Sequence, residues 1–172
     1  MDDINKEFNF DLHKFLIENS QDENIRLKSI NCIKNLDLRN QKTFQFLENI
    51  LISDSNEDIR RLAFKSLILI NSDKVIKSVV YAILNESGTF LVDLIDFLYR
   101  INPLICKQIL RQKILQIENK TPHTLLKNNN LDKLTIHQLR ELLLNHQLNK
   151  SLENLYFHRH SVPLALDLYG IE

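Results

Sequence analysis

Three stretches of this chain place apolar or small side chains at the same five offsets, 0, 4, 5, 8 and 11. The first is Ile25, Ser29, Ile30, Ile33 and Leu36, the second Ile59, Ala63, Phe64, Leu67 and Ile70, and the third Phe90, Leu94, Ile95, Leu98 and Ile101. On a helix of 3.6 residues per turn these offsets share one face. One amphipathic helix shows such a face unaided. Three in tandem, spaced by 34 and then 31 residues, imply a repeated unit.

Each of these helices is followed by a second. Phe46, Leu47, Ile50 and Leu51 match Val79, Val80, Ile83 and Leu84, and Ile109, Leu110 and Ile114 continue the series, with Lys113 breaking it at a frayed end. Helix starts are marked by Ser20 ahead of Glu23 and by Asp54 ahead of Glu57, the spacing of a capping box. The unit is therefore a helix pair. Neither member can bury its apolar face alone, so stacked pairs must share a continuous core.

Composition agrees. Two glycines and three prolines in 172 residues are too few for a β fold that turns about every 8–12 positions. A 44% hydrophobic and 26% charged content is that of an ordinary folded domain. The landmarks of a tetratricopeptide array, which has a similar period, are missing.

The stretches DENIRLKSINCIKNL (22–36) and NEDIRRLAFKSLILI (56–70) resemble the first helix of HEAT repeats: an acidic turn, then Ile-Arg, then a small residue. The likeness covers roughly residues 20–117. It implies an all-α fold, a short right-handed α-solenoid of antiparallel helix pairs. It also implies that Arg26 and Arg60 pair with acidic groups between neighbouring repeats, while Leu91 ends that ladder in the third unit. As exposed ion pairs these contribute ~0–1 kcal/mol each, against ~2–5 kcal/mol for truncating Ile59 or Leu67 to Ala.

In such a stack the second helices line the concave side. The residues opposite the apolar ladder are then Gln45, Ser78 and Gln108 in one row and Glu48, Tyr81 and Arg111 in the next, with Lys77 and Lys107 beside them. Tyr and Arg are enriched at binding hot spots, one as a rigid amphipathic ring and the other as a planar fork. This face is the candidate site for another polypeptide.

The pattern breaks after Ile117, dividing the chain into helical repeats at 1–118, a loop at 119–133 and a capping helix with tail at 134–172. Thr135 and Gln138 form a further capping box, opening a helix through Ile136, Leu139, Leu142, Leu143 and Leu148. In the tail, Leu164, Leu166 and Leu168 alternate with Ala165, Asp167 and Tyr169 behind Pro163, the period of a short edge strand. The segment LALDLYGIE resembles the opening of a leucine-rich repeat. Such a strand caps the last repeat or docks on another chain.

Formal net charge is zero but unevenly placed. Residues 1–60 hold 8 Lys/Arg against 12 Asp/Glu, and residues 100–160 hold 10 against 4. A nucleic-acid binder using Lys107, Arg111, Lys113, Lys120 and Lys127 is the alternative to a protein-binding scaffold. A subunit of a larger assembly is a third reading. No catalytic constellation emerges: Gly88 and Gly170 stand alone, so a glycine-rich phosphate loop is excluded, and Cys32 and Cys106 fall on apolar helix faces. The iron-dependent hydroxylases among HEAT-like proteins rely on His-Glu dipeptides, which this chain lacks. Five of the six histidines follow residue 120, and His158 with His160 share one face of a strand, but two imidazoles make a poor zinc site. The expected protein is a non-enzymatic, cofactor-free scaffold or adaptor. With an acidic start, MDDINKEF, and no stretch long enough to span a bilayer, it is expected in the cytoplasm without membrane contact.

Overall fold

The structure, a computed structural model, describes residues 2–71, 73–120 and 131–146. All regular structure among them is helical: α1 (Asp2–Asn19), α2 (Glu23–Asn35), α3 (Gln41–Ser53), α4 (Glu57–Asn71), α5 (Ile76–Asn85), α6 (Phe90–Ile101) and α7 (Pro103–Lys120), then a 3-10 turn (Leu131–Lys133) and α8 over 136–146. The strand expected at 164–168 lies outside the described residues, as do Leu148, His158 and His160. No described helix is long and apolar enough to cross a membrane.

The chain forms two compact units, Met1–Ile109 and Leu110–Glu172. In the first, α1 packs on α2, α3 on α4 and α5 on α6. Contacts also run two elements along, from α2 to α4, α4 to α6 and α3 to α5. The helices therefore stand in two rows, α2, α4 and α6 in one, α3 and α5 in the other. The core lies between the rows: Ile30, Ile33, Leu47, Ile59, Leu67, Val79, Ile83, Phe90, Leu94 and Leu98 are all buried. Edge-to-face ring pairs tie helices two elements apart, Phe10 on α1 with Phe46 on α3 at 5.7 Å, and Phe64 on α4 with Phe90 at 5.6 Å and Phe97 at 5.2 Å on α6.

Helix ends are set by short polar side chains, at places that differ from the sequence expectation. Ser20 and Asp54 are not the caps. Asp22 caps α2, its carboxylate accepting the Asn24 N–H at 2.8 Å, and Asn56 caps α4 through the N–H groups of Asp58 and Ile59. Asn40 caps α3 and Asn102 caps α7, whose first residue is Pro103, a position where no N–H is needed. The box at Thr135 and Gln138 closes in both directions: the Gln138 N–H donates to Thr135 Oγ1, and the Thr135 N–H to Gln138 Oε1. After α2 the chain turns at Asp37, φ 50°, a left-handed residue where helix ends commonly place glycine.

Two further expectations change. Cys32 is exposed rather than core, while Cys106 is buried. Lys113 does not sit at a frayed end, because α7 continues to Lys120 and Lys113 is buried.

Candidate interaction surface

Two arginines on the first-row helices reach the turn that opens the next helix of that row. Arg26 on α2 donates to Asp54 at 2.8 Å, and Arg60 on α4 donates to Glu86 through Nη2 at 2.7 Å and Nε at 3.0 Å. Arg60 also caps the carbonyls of Asp54 and Ser55. Glu86 in turn accepts the N–H groups of Ser87 and Gly88, fixing the turn between α5 and α6. These pairs are not exposed: the acidic side chains keep 8% of their surface and the arginines 16%. An energy of ~0–1 kcal/mol therefore understates them, because removing one partner strands a buried charge.

A third network, not anticipated from the sequence, centres on Glu57 and Arg61. Arg61 on α4 donates to Asp93 on α6, to Thr89 and to Asp58 and Glu57 on its own helix, and its guanidinium lies 5.6 Å from the Phe90 ring. Glu57 accepts the Phe90 N–H at 2.7 Å and the Thr89 hydroxyl at 2.5 Å, so a carboxylate from α4 caps the start of α6. Burial pushes the Glu57 carboxyl up, but the bonds from Thr89 and Phe90, with Arg61 and Arg60 nearby, outweigh this and hold it below the usual carboxylate value. The tandem Arg60-Arg61 was the available signal. The family pattern explains only its first member.

Of the residues assigned to a concave face, Gln45 on α3 and Lys77 and Tyr81 on α5 are exposed, Tyr81 by 50%. Glu48 is half-buried. Ser78 must be withdrawn as a contact residue, since it is buried and donates its hydroxyl to Glu48. That bond ties α3 to α5 at Glu48 and Ser78. Gln108 is exposed and Lys107 half-buried, both on α7 within the first unit. Arg111 belongs to the second unit, where it forms an ion pair with Asp132.

Sequence reasoning overlooked α1. It buries Phe10 and Ile17 yet exposes Ile4, Phe8, Leu12 and Phe15, a second apolar face readable from their spacing of 4, 4 and 3.

Among the described residues, an open hollow of about 390 Å³ is bordered by Ile17, Arg26, Phe46, Asn49 and Asp54. Among the described residues no three His, Cys, Asp or Glu side chains come together as metal ligands. No protein-family model, no curated protein and no solved structure matches this chain.

Proposed function

We propose that this chain is a non-catalytic protein-interaction module, a short right-handed HEAT-like solenoid that presents the face of α3 and α5 to a polypeptide. The observation that carries the reading is the half-exposed Tyr81, with exposed Lys77 one turn before it on α5, a helix tied to α3 by the Ser78–Glu48 hydrogen bond. A large ring on a rigid helix gives contact area at little entropic cost, and the Lys77 charge beside it supplies orientation. The two-row packing and the buried Arg–acid pairs support the HEAT-like part of the proposal.

The nucleic-acid reading draws less support. Of the basic residues it relies on, Arg111 is engaged by Asp132, Lys113 is buried and Lys107 is half-buried with a polar or charged partner.

The test is a native affinity purification comparing wild type with a Tyr81→Ala, Lys77→Glu double variant, with co-purifying chains quantified by mass spectrometry. Both positions are exposed, so the fold is retained and the circular dichroism spectrum stays unchanged. A partner recovered with wild type and depleted with the variant is the expected result. An identical partner set removes this face from consideration.

A further inference from the structure

The outer face of α1 is independent of the row on α3 and α5. Ile4, Phe8, Leu12 and Phe15 fall within about 80° of one another around the helix, on the side away from buried Phe10 and Ile17. They are 76%, 70%, 45% and 61% exposed. Together they form an apolar strip on the order of 400 Å², the size at which an exposed patch marks a contact site.

Charge selects among the occupants. Within α1, five carboxylates stand against Lys6 and Lys14, a balance of −3. Glu7, Asp11 and Glu18 follow one edge of the strip, and asparagines Asn5 and Asn9 follow the other. Two cations already stand along the acidic edge. The Lys14 amine sits over the Phe46 ring and 3.8 Å from Glu18, and Lys42 of α3 sits over Phe10 while pairing with Asp11 at 2.7 Å. Both pairs are exposed, and a partner's cations would compete with them. A second copy is a poor fit. A symmetric antiparallel pair sets the acidic edges against each other, and a parallel pair lays two helices of charge −3 side by side. An anionic bilayer is repelled as well, because an interfacial helix needs Lys or Arg beside its apolar face.

We infer that the outer face of α1 docks an amphipathic helix of another protein, with apolar residues at helical spacing and Lys or Arg along the edge that meets Glu7, Asp11 and Glu18. The apolar face supplies the affinity, and the charged edge selects the partner and its orientation.

The probe is a fluorescent synthetic helix with leucines on one face and lysines on its edges, titrated with the 172-residue chain and read by anisotropy. Its counterpart carries glutamates in place of the lysines. The lysine peptide should bind at least about tenfold tighter than the glutamate peptide, and added salt should narrow the gap. A Phe8→Ser, Phe15→Ser variant, unchanged in charge and in thermal melting, should lose about tenfold or more of that binding. Tyr81→Ala should keep it, which separates this surface from the one on α3 and α5. Equal binding of both peptides, or binding indifferent to Phe8 and Phe15, overturns the inference. So does a dimer in sedimentation velocity, or uptake by phosphatidylserine vesicles, that the same double variant abolishes.

Discussion

Glu57 accepts from a backbone amide, a hydroxyl and a guanidinium, and all three donors meet its Oε1. Its Oε2 lies over Gly88, so closely that a methyl group there would overlap it. Gly88 has no left-handed backbone angle; the residue is small because the carboxylate occupies the space. Gly88→Ala should therefore cost about 1–2 kcal/mol by displacing a charge-assisted network, offset in part by the lower entropy of the unfolded chain. In a Glu57→Ala background the same substitution should cost nothing, which a double-mutant cycle in urea would read. The pH dependence follows from the lowered Glu57 value. A carboxyl held below its unfolded value stabilises the fold above that unfolded value, and the stabilisation disappears as pH falls through the folded one. The stability gap between wild type and Glu57→Ala should thus be full near neutrality, begin to shrink near the ordinary Glu value of about 4.3 and close only as pH falls through the lower folded value. Arg60 makes the companion case. Arg60→Ala leaves Glu86 buried without its cation and should cost about 3 kcal/mol, whereas Arg39→Ala, from a pair with more than half of each side chain exposed, should cost ~0–1 kcal/mol.

Helix α4 touches α2, α3 and α6, and it shows why some of the fold was legible in the sequence. Ile59, Ala63, Phe64 and Leu67 were identified by periodicity alone, and all four are buried. The periodicity is a local record of which side faces the neighbouring helices, so no long-range knowledge was needed. It fails at the ends of the ladder. Ile25 in the first turn of α2 and Ile101 at the last residue of α6 satisfy the same offsets but are exposed, because coverage by a neighbour runs out there. Leu67→Ala should lower stability by ~2–5 kcal/mol and Ile25→Ala by less than ~0.5 kcal/mol in the same urea titration. The caps were harder to locate. Both turns contain several residues able to accept an amide, and which one does is decided by backbone angles, such as the φ of −80° and ψ of 112° at Asp22, that composition does not record. The bond from Glu57 to α6, spanning 33 residues, left no local trace at all.

For the whole molecule, total charge was legible but its use was not. The count over residues 100–160, 10 basic against 4 acidic, makes a nucleic-acid surface plausible on paper. Nucleic acid responds to exposed, unpaired cations, since affinity comes from counterions released at neutralised phosphates. Among the described residues that reserve is smaller than the count: Lys113 is buried, Arg111 is committed to Asp132, and Arg100 donates to the carbonyl of Asp96 on its own helix. At the other end of the chain the excess of carboxylate is likewise partly committed, with Asp54 and Glu86 in buried pairs and Glu57 capping α6. On α1, beside the apolar strip, Asp11 and Glu18 pair with Lys42 and Lys14, but these pairs are exposed and hold their carboxylates far less firmly than the buried ones do. The 172-residue chain should accordingly bind mixed-sequence duplex DNA no tighter than the ~10⁻⁴–10⁻⁶ M of non-specific contacts at physiological salt, measured by anisotropy across a salt series. Binding of the lysine-edged helix should outlast that salt range, because an apolar interface survives screening of its rim. A submicromolar DNA complex that weakens steeply with salt would reverse the order of the two functional readings.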